Sequence, residues 1–295
     1  MRVFVTGASG WIASGVIPEL LRAGHQVVGL VRSEAGAAKV EAYGAEVRRG
    51  NLDDLESLRA GAEDADGVVH LAFNHDDFAA AGSSERAAIE TFGTVLEGTD
   101  RPFLFASGTA LIKPGQLLTE ADASPFSGPD APRGGAEQLA LGYAERGIRS
   151  VSLRFPPTVH GEGDHGFIAY LAQAARARGA SAYVGDGAHH WAAVHRDDAA
   201  TAVALALAKS APGTVIHAVA EEGVPTREIA EAIGRGLGVP TESISPEEAQ
   251  ARLGFIGMIY GTDVSASSAI TRERLGWTPT APGLLDDLAA GHYTR

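Results

Sequence analysis

The chain has no cysteine, two methionines and three tryptophans among its 295 residues, and only 6% of it is aromatic. Without cysteine there can be no disulfides, thiolate metal sites or thiol nucleophile. No segment reaches the roughly 18 consecutive apolar residues of a membrane span. The N-terminal residues read as a strand and show no signal-peptide pattern. The net charge of −13 contains no long block of one sign, which argues against nucleic acid or an anionic membrane as partner. A cytoplasmic protein with a small-molecule substrate is therefore expected. Its length can bury a full core and suits a large α/β domain carrying a smaller lobe.

The most informative stretch is the opening, MRVFVTGASGWIA. Val3, Phe4 and Val5 suit a strand covered on both faces, as in a parallel sheet. A turn follows at Thr6 to Gly10, and then a helix whose apolar stripe contains Ile12, Val16 and Leu20 and which ends near Gly24. Gly7 can adopt backbone angles closed to other residues, and Gly10 lets the main chain approach a pyrophosphate resting on the first helical amides. Ala13 lets the helix pack closely on the strand, completing a G-x-x-G-x-x-A variant of the dinucleotide-binding fingerprint. Gly7, Ser9, Gly10, Trp11 and Ile12 are thus candidate cofactor contacts. Pro18 removes one donor from this helix and predicts a local bend or an irregular first turn.

Strand and helix then alternate. Strands are expected at 26–31, 45–48, 67–71, 102–106 and 150–155, with helices at 35–43, 55–60, 84–96 and 135–146. Short connections imply right-handed crossovers and a six-stranded, doubly wound parallel sheet, a Rossmann fold spanning 1–157. Residues 108–135 are rich in Pro, Gly, Ser and Asp and read as a long loop of the kind that carries function. Beyond 157, helices at 166–178, 197–209, 226–237, 246–253 and 267–275 mix with short strands near 182–184 and 215–218. Residues 158–295 form mainly a substrate lobe, some of whose segments return to the sheet.

The residues after the second strand select the dinucleotide. An acidic residue there would bind a free ribose 2′-hydroxyl, whereas Arg32 and Ser33 suit a 2′-phosphate, so NADP(H) is preferred over NAD(H). Asn51 and Leu52 after strand three, and Leu71, Ala72 and Phe73 after strand four, lie where adenine and ribose would rest. Leu52 would pack on the ring and Asn51 would bond its edge.

With these elements in place, the chain resembles the extended short-chain dehydrogenase/reductase superfamily, in the group named NAD-dependent epimerase/dehydratase. The resemblance rests on Val5–Ile12, Asn51–Asp54, Val69–Ala72, Leu153–Gly161 and Val194–Asp198. It implies a tyrosine acid, a lysine four residues later, and a hydroxyl after strand five. Glu137 matches the acidic residue of Y-x-x-x-K-x-x-x-E, which puts Arg133 at the lysine position and Pro129 at the tyrosine position. Tyr143 lies in a helix register that does not match. The hydroxyl loop reads Ser107-Gly108-Thr109, with glycine at the expected serine. The resemblance also implies cofactor contacts from Ser107, Arg133, Pro156, Thr158 and Val159, and a homodimer through the helices near 84–97 and 135–146.

A guanidinium can bind ribose hydroxyls but holds its proton at neutral pH. Another acid, or water, must then serve, and His160, where the family has tyrosine, can exchange a proton near neutrality. The catalytic candidates are Ser107, Thr109, Arg133 and His160. Asn74, His75, Lys113, His165, Trp191 and Tyr260, with Phe73, are expected around the substrate. His195, ahead of Asp197 and Asp198, reads as a structural helix start, and no metal site is expected. The expected activity is an NADP(H)-dependent reduction of a ketone, imine or activated double bond by an atypical member of the superfamily. The alternatives are a nonenzymatic NADP(H)-binding sensor or scaffold, or an epimerase/dehydratase-type enzyme.

Overall fold

A computed structural model describes residues 1–74 and 78–294. The first half alternates β1 (Arg2–Thr6), α1 (Trp11–Arg22), β2 (Gln26–Val31), α2 (Glu34–Ala42), β3 (Glu46–Arg49), α3 (Leu55–Glu63), β4 (Gly67–His70), α4 (Phe78–Leu96) and β5 (Pro102–Gly108). A long loop and a 3-10 turn at Pro132–Gly135 lead to α5 (Ala136–Gly142), β6 (Arg149–Phe155), β7 (Thr158–His160), α6 (Phe167–Arg178), β8 (Ser181–Val184), β9 (His190–His195), α7 (Arg196–Lys209) and β10 (Thr214–His217). The remainder supplies β11 (Glu221–Pro225), α8 (Thr226–Leu237), β12 (Thr241–Ile244), α9 (Pro246–Tyr260), α10 (Ala269–Leu275) and α11 (Leu284–Ala289).

The main sheet is parallel throughout, in the order β10-β6-β5-β4-β1-β2-β3. Strand order reverses between β1 and β4, which makes the carboxyl ends of those two strands the crevice where such sheets receive ligands. The sheet has seven strands where six were expected. The extra one, β10, pairs with β6 through Thr214–Val151 to His217–Arg154, so chain beyond residue 157 covers what would have been an open edge. A smaller sheet, β11-β9-β7, and a β12-β8 pair complete the strands. On one sheet face α1 and α7 enclose a core that includes Val3, Val16, Leu20, Val203 and Leu207. On the other, α3, α4 and α5 enclose Phe4, Leu58, Phe92 and Phe105. The lobe has its own core around Trp191, Ile229, Tyr260 and Leu284.

Local chemistry sets several element ends. Ser33 caps α2 by accepting from Gly36 N, and Asp54 caps α3 by accepting from Ser57 N. His195 Nδ1 accepts from Asp197 N at the start of α7, while Asp197 and Asp198 place negative charge at its positive end. The helix α1 runs unbroken through Pro18. The helix expected at 246–253 continues to Tyr260, and its expected end coincides with a break at Gly254 (φ 57°). The 135–146 helix divides into α5 and a 3-10 turn at Tyr143–Arg146.

Where α1 crosses α7, a β-carbon on Gly15 would lie 3.1 Å from Arg196 Cγ and 3.2 Å from both Ala200 Cβ and the Arg196 carbonyl. The crossing has no room for a larger side chain. Gly15→Leu is expected to lower stability by about 1–3 kcal/mol through overpacking. Urea unfolding measures this, and an unchanged midpoint would show that the crossing is looser than described.

Candidate active site

The turn after β1 is built for close approach. Gly7 has φ 65°, and a β-carbon there would come within 2.8 Å of Ala72 N and 2.9 Å of Ala72 Cα. The ends of β1 and β4 therefore touch backbone to backbone at the crevice. Gly10 N donates to the Gly7 carbonyl (2.9 Å) and closes the turn. Gly10 caps α1 with no side-chain bond, so the first amides of a 12-residue helix remain open to an anion. Ser9 and Gly10 are exposed. A diphosphate fits this cradle, and the first-turn residues Trp11 and Ile12 stand beside it. Trp11 Nε1 donates to the Val159 carbonyl (2.6 Å), tying α1 to β7.

Arg32 and Ser33 are exposed at the end of β2, and the neighbouring Glu34 is engaged by Arg49 (2.5 Å). Asn51 Oδ1 accepts from Asp53 N and Asp54 N, holding the turn and leaving its amide nitrogen for a ligand edge. Leu52 is half-buried against the core beneath α3. Leu71, Ala72, Phe73 and Asn74 line the chain leaving β4, half-buried, and Ala72 N donates to Thr6 Oγ1 (3.3 Å).

Two carboxylate–guanidinium pairs, one sealed and one with its arginine partly exposed, flank the end of β5. In one, Arg133 Nε donates to Glu85 Oε2 (3.1 Å) and Arg133 Nη2 bonds Glu85 Oε1; the same Nη2 reaches the Ala106 carbonyl (3.1 Å). The guanidinium carbon lies 4.4 Å from the centre of the Phe73 ring. Arg133 holds φ 54°, a left-handed conformation uncommon outside glycine and often found at functional positions. Burial pushes the Glu85 carboxyl up from its usual range, and the facing guanidinium pulls it back. Nearby, burial and then the charge of Arg133 lower His70 to about 3, so it stays neutral.

In the second pair, Arg154 Nε and Nη2 donate to Glu137 Oε1 at 2.8 and 2.6 Å, and Ser107 Oγ donates to Glu137 Oε2 (2.8 Å). Arg154 Nη1 also reaches the Asp122 carbonyl (2.9 Å). Thr109 is buried and its Oγ1 has no hydrogen-bond partner among the described residues, as is also true of Thr158 Oγ1. Among the described residues Ser152 and Ser210 carry unpartnered hydroxyls as well, and such a group is met by water or by a ligand. Pro156 is buried and Val159 half-buried.

Several expectations need correction. His160 is fully buried, with Nδ1 2.6 Å from Asp287 Oδ2, and its ring packs edge-on against His195. It fastens α11 to β7 and cannot meet a substrate. Trp191 and Tyr260 are fully buried and pack edge to face inside the lobe core; Tyr260 Oη donates to the Thr226 carbonyl (2.8 Å). Their large apolar surfaces are better buried than left lining a cleft. Lys113 is paired with Asp122 (2.8 Å), and that pair with the Thr119 bonds holds the Asp122 carboxyl down at about 2. Lys113 thus braces the loop. His165 is exposed, edge-on to Trp11 at 6.2 Å. His75 lies outside the described residues.

Sequence reasoning missed Glu85, Arg154 and Asp287. Glu85 had a signal: it interrupts the buried stripe Ala81, Ala88 and Phe92 of α4, where a carboxylate needs a partner.

The NAD-dependent epimerase/dehydratase family model matches residues 3–220. The chain belongs to that family. It is 47% identical over 296 aligned positions to an uncharacterized protein of Schizosaccharomyces pombe, covering 99% of this chain and 100% of that one. It is 29% identical to the 2′-dehydrokanamycin reductase of Streptomyces kanamyceticus, over 100% of this chain and 81% of the relative. Among solved structures, a Streptomyces venezuelae dTDP-glucose 4,6-dehydratase with NAD and TYD bound superposes with a TM-score of 0.78 at 20% identity, covering 99% of this chain and 96% of that one, which shows a shared fold. Family membership makes the chain a nicotinamide-dinucleotide enzyme of the oxidoreductase, epimerase and dehydratase type, and the glycine cradle fits that cofactor.

The Arg154–Glu137 pair is sealed, with Arg154 only 1% exposed. Arg154→Met strands the carboxylate and is expected to cost about 3–5 kcal/mol of stability. Chemical denaturation tests this, and retention of the wild-type midpoint would deny the pair its structural role.

Proposed function

We propose that this family member is an NADP(H)-dependent reductase of a small ketone, imine or activated double bond. The observation that carries the reading is Arg133, fixed at the carboxyl ends of β4 and β5 by Glu85, Ala106 and Phe73. A bound NADPH would supply the reducing equivalent. The open amides at the start of α1 would hold the diphosphate, and Arg32 would grip the 2′-phosphate, since Glu34 is neutralised by Arg49. Arg133, at the position of the family's lysine, would bind ribose hydroxyls. The Ser107 proton is committed to Glu137, so Ser107 can only accept a bond from a ligand; Thr109 has the unpaired hydroxyl and is the better donor to the acceptor's oxygen or nitrogen.

A guanidinium is a poor acid at neutral pH and His160 is enclosed, so among the described residues water is left as the source of the proton that completes reduction. Orientation of the acceptor beside the cofactor then carries most of the rate. Reductases at 27–32% identity among the relatives support reduction, and a UDP-glucose 4-epimerase at 29% identity makes epimerisation the rival reading.

Steady-state NADPH oxidation against a panel of ketones and imines tests the activity; tight NADPH binding with no turnover on any acceptor would make the chain a binding protein instead. For the cofactor, Arg32→Glu is expected to weaken NADPH about 10- to 100-fold, as loss of a charge-assisted bond of roughly 1.5–3 kcal/mol requires, while leaving NADH little changed. An unaltered NADPH-to-NADH affinity ratio would refute the assignment to Arg32.

A further inference from the structure

We propose that Glu85 is a positioning residue: its carboxylate on α4 sets the Arg133 guanidinium in the one orientation that presents its remaining donors to the nicotinamide half of the cofactor. The inference rests on the reading of Arg133 as a cofactor-binding group, and it names the part that makes an arginine workable there.

The fork of Arg133 is divided in a definite way. Nε and Nη2 face the two Glu85 oxygens, Nη2 also meets the Ala106 carbonyl, and Nη1 bonds no described residue. A bidentate carboxylate fixes the plane of a guanidinium as a single contact cannot. The Phe73 ring, 4.4 Å away, supports one face of that plane. With one edge and one face occupied, the Nη1 edge is the part left to meet a ligand.

Glu85 has no evident reason to be buried other than this pair. It is 1% exposed in the apolar stripe of α4, in contact with the site through Arg133 alone among the bonds formed by its carboxylate. A carboxylate enclosed in that way destabilises the fold unless it is paired, and an apolar residue of similar volume would serve the core at least as well. The backbone of Arg133, in its left-handed conformation, is likewise a local cost accepted where the side chain lands. A lysine could not replace this arrangement, because a single ammonium on a flexible stem cannot hold Glu85 in two places, reach Ala106 and keep a defined free edge. The arginine at the lysine position and the buried glutamate on α4 are therefore two parts of one device.

The test compares NADPH with adenosine 2′,5′-bisphosphate, which fills only the adenosine half of the site. Calorimetry on Glu85→Gln is expected to show NADPH affinity reduced about 10- to 100-fold, the scale of losing one hydrogen bond to a charged group, with adenosine 2′,5′-bisphosphate bound as in the wild type. Glu85→Asp keeps the charge, shortens the arm, and provides the same comparison should Glu85→Gln fail to fold; a several-fold loss for NADPH alone is expected. Combining Glu85→Gln with Arg133→Met should weaken NADPH no further than Arg133→Met does, since Glu85 acts through Arg133. Full NADPH affinity in a folded Glu85 variant, equal losses for both ligands, or additive losses in the double variant would overturn the proposal while leaving the cofactor reading intact. Failure of the wild-type protein to bind NADPH would remove both.

Discussion

The buried Glu137–Arg154 pair is the interaction on which the rest of the site depends. Arg154 sits in β6, next to the edge strand, where Ser150 to Phe155 are all buried, and a charge there is tolerable only because Glu137 meets it from α5. Through its remaining atoms the pair reaches Ser107 at the end of β5, the Asp122 carbonyl in the long loop, and His217 in the last strand of the sheet. His217 Nδ1 in turn lies 2.7 Å from the Ser267 carbonyl. Strand, helix, loop and C-terminal segment are thereby held to one point, and the hydroxyl loop inherits its position from them.

A second pair, Arg133 with Glu85, sits across β5 from the first. The two share an economy: each uses a carboxylate on a helix to hold an arginine flat against the strand ends. They differ in exposure. Arg154 is sealed, whereas the Arg133 side chain is about a third exposed. The first is a brace, and the second keeps an edge for a ligand.

Much of this was legible in the residues. The run Val3–Val5 followed by Gly7 and Gly10 announced a strand, a turn and a helix start because backbone sterics and anion binding leave few alternatives at that spacing. The alternation of strands and helices announced the parallel sheet. The seventh strand was read as a strand, but its place at the sheet edge depends on a distant pairing with β6 that local pattern does not encode. Trp191 and Tyr260 were misread for a related reason: an aromatic residue in a lobe serves a cleft or a core equally well until packing decides. His160 was placed from its position in a motif, and its true role comes from Asp287, 127 residues away.

That distance has its own consequence. Gly161 N donates to Tyr293 Oη, which itself donates to Asp164, while Asp287 meets His160, so the loop beside Trp11 is locked by residues 127 to 132 positions downstream. On a ribosome, the nascent loop must wait for that segment to emerge before it can settle against the first helix. Closing contacts of such long range costs chain entropy that local contacts do not, so the wall next to the glycine turn rests on a C-terminal segment already being in place.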